Sequence, residues 1–430
     1  MARSAPALNV TWQDGRLAGK VVVPGQTFFG YDEAWLVSVY NLSPLSVPFS
    51  SVVFRQRMAG FDSLPGFLSD CLPDQWGRLI MERDFREIHV SPTPMRMLAW
   101  VGDRGLGALT FQPSMDETHS QTAWEPVTPL LLTREVQAVV SNNAPDTFRH
   151  LRQAGTAGGA YPKATVGLLP DGTLVTRGNV AATRIPGMKL GILKLDTEDG
   201  ALRPSTDGRV EAAYLRMARA AGIKTTRVRV LPDFTSERPR HHLFVDRFDF
   251  GPRGHRLHFL SLAGALHRHD LSYLDLLNAT RDLTGDRIQV LEAVRRMCFN
   301  VRSGNADDHG KNHCFLFDSV TGRWALSPAY DLTPSYSRDR ELRGLFPNTF
   351  GTSPRRQAMA ELAGEAGITL AEFDVIDGEV AAVVARWAEY AERLDVPEEL
   401  AARAVSIQNE LAVSLATEAP IRPSRRVRRW

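Results

Sequence analysis

Asn305-Ala-Asp-Asp-His-Gly-Lys-Asn312 is the stretch of this 430-residue chain that decides its fold. Within it, Asp307 precedes Asn312 by five positions, and a second motif, Leu326-Ser-Pro-Ala-Tyr-Asp331, follows downstream. The same offset separates the catalytic aspartate from the metal-binding asparagine in the catalytic loop of protein kinases. We therefore expect a phosphoryl-transfer site in which Asn312 and Asp331 provide oxygen ligands for Mg²⁺.

The sequence around these motifs predicts how they come together. His313-Cys-Phe-Leu-Phe-Asp318, then Ser-Val-Thr-Gly, then Arg323-Trp-Ala-Leu326 is typical of strand, turn and strand. Such a hairpin would bring Asp331 back beside Asn312. Upstream, apolar residues at helical spacing predict a helix that ends near Gly304 and presents the loop at its C-terminal end.

The Asp-Asp-His cluster is also compatible with two roles outside a kinase. It could bind a transition metal for phosphodiester hydrolysis, or it could cap the preceding helix. The spacing of Asp307 and Asn312, with a further aspartate after the hairpin, favours the kinase interpretation. His309 and Lys311 add polar groups to the same loop.

A lysine inside an apolar strand pattern is the second indication. Gly191-Ile-Leu-Lys-Leu195 embeds Lys194 where a charged side chain is costly unless it is paired. Glu211 lies near the start of the helix predicted over residues 209–221. In kinases, a strand lysine paired with a helix glutamate holds the α- and β-phosphates of ATP. The alternative is that Lys194 protects the edge of a sheet, with its ammonium in water.

Two further segments could contact a nucleotide. Gly155-Thr-Ala-Gly-Gly159, with Lys163 after it, could cradle phosphates because glycines let main-chain N–H groups approach closely, although such loops are usually only turns. Asp246-Arg-Phe-Asp249 ends the last strand predicted for the middle of the chain, where a kinase has its hinge. The backbone at 246–248 could read the adenine edge, or Arg247 and Asp249 could form only a surface ion pair.

Composition places the chain among globular proteins. Hydrophobic residues make up 43% and charged residues 23%, no apolar run is long enough to span a bilayer, and the N-terminus lacks the apolar core of a signal peptide. The three cysteines show no paired spacing, which argues against a disulfide framework or a structural zinc site. We therefore expect a cytoplasmic protein that has no membrane partner. The net charge of +2 does not favour nucleic acid.

The coarse pattern predicts an α+β protein with a two-lobed, protein-kinase-like fold. A β-rich N-terminal subdomain is expected over residues 1–115, a kinase N-lobe-like α+β region with the glycine-rich loop over 130–250, and a helical C-terminal lobe with the catalytic and metal-binding loops over 251–420. Residues 113–128, rich in Ser, Thr and Pro, are expected to be a linker. The basic segment 421–430 is either an unstructured tail or a contact for phosphates.

Several motifs in this order resemble the HipA family of bacterial serine/threonine kinase toxins, over nearly the whole chain. They are Phe29-Gly-Tyr-Asp-Glu-Ala-Trp-Leu36, Leu72-Pro-Asp-Gln-Trp-Gly77, Val101-Gly-Asp-Arg-Gly-Leu-Gly-Ala108, Ala157-Gly-Gly-Ala-Tyr-Pro-Lys-Ala164, Ile192-Leu-Lys-Leu195, Val245-Asp-Arg-Phe-Asp249, Phe299-Asn-Val-Arg-Ser-Gly-Asn-Ala-Asp-Asp-His-Gly-Lys-Asn312 and Leu326-Ser-Pro-Ala-Tyr-Asp-Leu-Thr-Pro334.

The resemblance implies phosphorylation of a protein serine or threonine with ATP and Mg²⁺. It implies a translation factor as target, such as an aminoacyl-tRNA synthetase, with growth arrest and persistence as the result. It also implies a helix-turn-helix antitoxin of the HipB type, through which the toxin reaches operator DNA.

Residue roles carry over from the matching motifs. Asp307 would be catalytic, with His309 and Lys311 beside it in the loop, and Asn312 and Asp331 would hold magnesium. The nucleotide would meet Ala157, Gly158, Gly159, Ala160, Lys163, Lys194, Glu211, Asp246, Arg247, Phe248, His309 and Tyr330. Family members phosphorylate themselves on a serine of the glycine-rich loop, and the matching residue here is Thr156.

Two other functions agree with the same residues. A small-molecule phosphotransferase would need the same site chemistry and a different acceptor pocket. A DNA-binding corepressor with vestigial kinase activity would use the basic C-terminal end.

Overall fold

A computed structural model describes most of the chain. The described residues are 7–22, 27–38, 40–55, 60–115, 123–141, 148–154, 159, 161–176, 185–197, 207–235, 238–336, 344–351 and 353–416. Within them the strands form three antiparallel sheets, and the helices are concentrated towards the C-terminal end.

The first sheet belongs to the N-terminal part and has the strand order β4-β3-β2-β1-β5. Strands β1 and β2 form a hairpin whose turn contains Gly15 at φ +86°, a conformation that glycine adopts without strain. The elements of this part are β1 Ala7–Trp12, β2 Leu17–Val22, β3 Phe28–Tyr31, α1 Glu33–Leu36, β4 Phe54–Arg55, a 3₁₀ turn Phe61–Ser63, α2 Gly66–Ser69, α3 Gln75–Glu87, α4 Pro94–Val101 and β5 Leu109–Gln112.

The second sheet has six strands in the order β10-β11-β9-β7-β8-β6. Its strand β6 lies within residues 113–128, so the prediction of a linker is wrong at that point, because this short strand pairs with β8. The elements are β6 Glu125–Val127, α5 Pro129–Val140, α6 Arg149–Gln153, β7 Lys163–Leu168, β8 Leu174–Thr176, β9 Lys189–Lys194, α7 Gly208–Ala220, β10 Val228–Asp233 and β11 Arg240–Asp246.

The third part is mainly helical but contains a three-stranded sheet, β12-β13-β14. The predicted helix that leads into the catalytic motif is α10, and it ends at Gly304, whose φ is +76°. The predicted hairpin that follows is β13–β14. The elements are β12 His258–Ser261, α8 Leu262–Leu266, α9 Tyr273–Thr284, α10 Arg287–Ser303, β13 Cys314–Asp318, β14 Arg323–Leu326, α11 Leu345–Phe350, α12 Arg356–Glu365, α13 Leu370–Val384, α14 Trp387–Glu392 and α15 Glu398–Ala416.

The described residues form two large hydrophobic cores and a small cluster of Ala212, Leu243 and Val245. The first sheet and the strands β7 and β9 share one core, which includes Trp12, Phe67 and Leu193. Helix α7 packs instead into the core of the helical part, with Tyr214 beside Phe299. Since β9 and α7 follow each other in the chain, the boundary between the two cores runs between them. Within the described residues, no helix combines the length and apolar character needed to cross a membrane.

Several hydrogen bonds join the N-terminal part to the segment between the second and third sheets. Asp249 accepts a hydrogen bond from the backbone N–H of Gly107 at 2.9 Å. The Arg256 guanidinium donates to the carbonyls of Asp103 at 3.2 Å and Gly105 at 2.5 Å. These bonds connect the segment after β11, at the end of the second sheet, to the segment between α4 and β5 in the N-terminal part.

His258 makes another such contact and gives the protein a testable pH dependence. It is buried, its Nε2 lies 2.8 Å from the carbonyl of Leu42, and burial lowers its pKa from 6.5 to about 4. Because this pKa is depressed by folding, the stabilisation is present above pH 6.5 and is lost as the pH falls towards 4. Between pH 7.5 and 4, we expect parental protein to lose about 3 kcal/mol more stability than the His258→Gln variant, at 1.36 kcal/mol per pKa unit.

Urea unfolding of both proteins at the two pH values measures this difference. Glutamine retains an N–H that can donate to Leu42, so the variant keeps the hydrogen bond but not the titration. Equal acid sensitivity of the two proteins would contradict the expectation.

Candidate active site

Lys194 lies at the centre of the candidate site. It ends β9, an interior strand between β7 and β11, so the alternative of an edge-strand lysine is wrong. Its ammonium donates to both carboxylate oxygens of Glu211, at 2.8 and 2.7 Å, and also to Asp331. The predicted contact of Lys194 with Glu211 is therefore present, and it bridges the two hydrophobic cores.

Charge pairing sets the protonation of this cluster. Burial would lower the pKa of Lys194, but the carboxylates of Asp331 and Glu211 outweigh burial and raise it. Burial would raise the pKa of Asp331, yet the ammonium groups of Lys194 and Lys163 hold it below its ordinary value. Burial raises the pKa of Glu211, opposed by Lys194. Near neutral pH, a partly buried cation therefore faces a carboxylate that remains ionised.

The two adjacent aspartates of the catalytic motif have different environments. Asp307 is exposed. Asp308 is buried, accepts from the backbone N–H of Phe346 at 3.1 Å and from the hydroxyl of Tyr273, and burial raises its pKa to about 6. Asp308 therefore anchors the loop, and Asp307 is the aspartate that a substrate could reach.

Short hydrogen bonds to the backbone of this loop are made by Asn312 and by Tyr330, the residue before Asp331. The Asn312 amide donates to the carbonyl of Asp307 at 2.7 Å, and the hydroxyl of Tyr330 donates to the carbonyl of Lys311 at 2.6 Å. Asp331 follows Tyr330 with φ +53°, the left-handed region that only glycine, asparagine and aspartate adopt at low cost. This backbone conformation turns the Asp331 carboxylate towards Lys194. His309 lies close enough for its charge to affect Asp331.

The described part of the glycine-rich segment lies against the same cluster. Gly159 has φ +110°, and a side chain there would collide with the ammonium of Lys163. The backbone N–H of Gly159 donates to Asp74 at 2.8 Å. Of the other predicted nucleotide-binding positions in this segment, Ala157, Gly158 and Ala160, together with Thr156, lie outside the described residues.

The predicted hinge is more enclosed than expected. Arg247 donates to Asp249 at 2.8 and 2.5 Å, and their side chains are 2% and 3% exposed, so the alternative of a surface ion pair is wrong. The backbone N–H of Asp246 donates to Arg227, and the N–H of Arg247 donates to Leu190. Phe248 stacks at a tilt on Tyr330, with ring centroids 5.3 Å apart.

These contacts leave a smaller part of the hinge for adenine than the sequence predicted. The backbone of Asp246 is already bonded, since its carbonyl accepts from Thr226 at 2.8 Å. The guanidinium of Arg247 is committed to Asp249. Of the described hinge groups, the Arg247 carbonyl, the Phe248 backbone and the aromatic pair of Phe248 and Tyr330 take no part in these hydrogen bonds.

The oxygen atoms present fit Mg²⁺ bound together with a nucleotide. The amide nitrogen of Asn312 donates to the Asp307 carbonyl. The Oδ1 atom of Asn312 has no hydrogen bond to any described residue, and it is the atom that could bind a metal ion. No group of three or more His, Cys, Asp or Glu side chains in the described ranges could hold a metal ion by itself. Mg²⁺ characteristically takes one or two protein oxygens and completes its shell with phosphates and water. Asn312 and Asp331 would supply those oxygens.

Asp74 is a site residue that the sequence did not reveal. Besides Gly159, it binds the ammonium of Lys311 at 2.5 Å, so Lys311 points at the N-terminal part rather than at Asp307. Its motif, Leu72-Pro-Asp-Gln-Trp-Gly77, has the turn chemistry of a helix start, where an aspartate is expected to cap the helix. Because helix capping alone is enough to explain an aspartate at this position, its contacts with Gly159 and Lys311 were not predicted.

Comparisons with known proteins agree with this geometry. A family model described as the HipA-like C-terminal domain matches residues 155–388, and the HipA N-terminal domain model matches residues 8–112. Two Sinorhizobium fredii proteins, named as candidate kinases Y4dM and Y4mE, are each 26% identical to this chain. The match to Y4dM covers 75% of this chain and 77% of that protein; for Y4mE both shares are 76%.

A solved structure has a similar fold over almost the entire length. It is HipA of Shewanella oneidensis MR-1, from a toxin–antitoxin system, determined with HipB and its operator DNA. The superposition has a TM-score of 0.68 at 17% sequence identity, and it covers 95% of this chain and 96% of that chain. At this identity the likeness concerns the fold, and it confirms the predicted α+β, two-lobed architecture with an added N-terminal subdomain.

Proposed function

This chain belongs to the HipA family, and from that premise we propose that it is a toxin kinase that transfers the γ-phosphate of ATP to a serine or threonine of a protein. The contacts of Lys194 carry this proposal. An interior strand lysine held by a helix glutamate and facing an ionised aspartate is the arrangement that kinases use to hold the phosphates of ATP.

The residues of the candidate site have different parts in the proposed reaction. Lys194, fixed by Glu211, binds phosphate oxygens in a partly buried site where its charge is weakly screened. Asp307, which is exposed within the loop, orients the acceptor hydroxyl and accepts its proton. Mg²⁺, when held by Asn312 and Asp331, would neutralise charge on the phosphates. Phe248 and Tyr330 would pack against the adenine.

The biological context follows from the family. We propose a cytoplasmic protein that is neutralised by a helix-turn-helix antitoxin of the HipB type, through which it associates with operator DNA. The assembly of the Shewanella oneidensis HipA structure with HipB and operator DNA supports this proposal. The target would be a translation factor, such as an aminoacyl-tRNA synthetase, and its phosphorylation would arrest growth.

Asp307→Asn tests the proposed reaction. We expect it to lower phosphate transfer by about 10²-fold or more, because the amide cannot accept the proton of the hydroxyl. The fold should persist, since Asp307 is exposed and its backbone carbonyl, not its side chain, holds Asn312. Transfer of label from γ-³²P-ATP into the proteins of a cell lysate measures the rate, and a melting curve checks the fold.

The same experiment separates the alternatives. Label in the metabolite fraction instead of the protein fraction would favour a small-molecule phosphotransferase. Equal transfer by the variant and the parental protein would exclude the role given to Asp307. Phosphoproteomics of cells that express the two forms would then identify the acceptor protein.

A further inference from the structure

Asp74 stands at the start of α3 but does not cap that helix. The residue has the extended backbone of an N-cap, with φ −78° and ψ −168°, yet its side chain makes no hydrogen bond to the first turn of α3. An aspartate in this position ordinarily binds a backbone N–H of that turn and contributes about 1 kcal/mol. The Asp74 carboxylate forgoes this local bond for contacts elsewhere.

Those contacts join two segments of the candidate site. One carboxylate oxygen accepts from the backbone N–H of Gly159 at 2.8 Å, and the other accepts from the Lys311 ammonium at 2.5 Å. Lys163 is also near enough to stabilise the ionised carboxylate. A single side chain from the N-terminal subdomain therefore meets both the glycine-rich segment and the loop that carries Asp307.

The first turn of α3 holds the glycine-rich segment by a second route. The indole N–H of Trp76 donates to the carbonyl of Lys163 at 3.1 Å, and the backbone N–H of Trp76 lies 3.4 Å from the carbonyl of Gly159. Trp76 is buried, so this anchor has a fixed position. The carboxylate of Asp74 extends the same anchor to Lys311.

We infer that Asp74 is a positioning residue for phosphoryl transfer, which acts through the Lys311 ammonium and the Gly159 amide to fix Gly159 relative to the catalytic loop. The inference rests on the proposed function. Phosphoryl transfer depends mainly on alignment of phosphate and acceptor, and a misplacement of 1 Å can cost about 10²-fold in rate. An ion pair that only holds two surfaces together would contribute about 0–1 kcal/mol to stability and would not change the rate of transfer.

The chain offers a matched control for this distinction. Asp62 pairs with Arg78 of the same helix α3, at 2.9 Å, and its carboxylate makes no hydrogen bond to Gly159 or Lys311. The exposed fractions of the two pairs are nearly the same, 26% and 33% for Asp62 and Arg78 against 25% and 32% for Asp74 and Lys311. Asp62→Asn therefore removes an ion pair of similar exposure and leaves the bonds of Asp74 to Gly159 and Lys311 in place.

Asp74→Asn is expected to lower kcat about 10²-fold and to weaken ATP binding about tenfold, whereas Asp62→Asn should change neither quantity. Both variants should unfold at similar urea concentrations. Asp74→Glu keeps the charge and should restore part of kcat. A drop in kcat for Asp74→Asn no larger than that for Asp62→Asn would overturn the inference.

A double-variant cycle with Lys311→Met supplies a readout that a structural tie would not affect. Because Asp74 acts partly through Lys311, Asp74→Asn should lower kcat by only about tenfold in the Lys311→Met background, since the effects of residues that act together are not additive. Additive effects would overturn the inference. Calorimetric ATP binding by the same four proteins measures the coupling independently of transfer. Parental protein that binds ATP without transferring phosphate would refute the kinase proposal alone.

Discussion

Replacing Lys194 with methionine is expected to destabilise the protein by about 3–5 kcal/mol and to abolish phosphate transfer. The ammonium is the shared partner of Glu211 and Asp331, so its removal leaves two carboxylates without the cation that binds both of them. An unpaired buried charge is far more costly than the pair was favourable. Urea unfolding measures the first effect and transfer from labelled ATP measures the second.

The pH dependence of this variant checks the proposed cause. Without Lys194, the pKa of Glu211, which burial already raises, should rise further. A carboxyl whose pKa is raised by folding is most favourable when protonated, so the variant should become less stable as the pH rises from 5 to 8. A variant whose stability did not fall over this range would contradict the assignment of an uncompensated carboxylate.

The double variant Lys194→Met, Glu211→Gln serves as the control. It removes both the cation and one of the two carboxylates, so most of the lost stability should return. Phosphate transfer should remain absent, because no ammonium is present to bind phosphate. Restored transfer would show that Lys194 has only a structural function.

Asp331→Asn is expected to lower phosphate transfer by at least about 10³-fold, since the metal and its charge stabilisation are worth several kcal/mol. Stability should change little, because Lys194 keeps its two bonds to Glu211. Asparagine also tolerates the backbone at φ +53°, so the substitution preserves the left-handed conformation. The loss of phosphate transfer would therefore result from the missing negative charge and not from a changed backbone.

Magnesium dependence distinguishes this variant from a general loss of binding. Mg²⁺ should strengthen ATP binding by the parental protein, and calorimetry with and without EDTA should show no such gain for Asp331→Asn. Asp318→Asn is a suitable control, since Asp318 lies at the other end of the β13–β14 hairpin and binds His255 at 2.8 Å. Equal magnesium dependence in Asp331→Asn and the parental protein would refute a metal-binding role for Asp331.

Local patterns were sufficient to predict the centre of this site. A charged residue in a buried strand requires a partner, which is why Lys194 predicted a contact with the helix that carries Glu211. The apolar strands after Asn312 predicted a hairpin, and the hairpin returns Asp331 to the loop. Each prediction depended on residues close together in sequence, where spacing determines geometry.

Contacts between distant segments were not predictable in the same way. Asp74 and Lys311 are separated by 237 positions, and the aspartate already has a sufficient local role as a helix cap. Arg247 and Asp249 look like an exposed pair because no pattern in the hinge indicates that Gly107 approaches it. Strand β6 is only three residues long and is recognisable only through its pairing with β8.

The bonds of the N-terminal subdomain have a mechanical consequence. It touches the hinge through Gly107 and Asp249, and it touches the helical lobe through Asp70, which accepts from Ser261 at 2.7 Å. The subdomain is thus hydrogen-bonded both to the hinge segment and to the end of β12, so a movement of either segment relative to the subdomain must break these bonds.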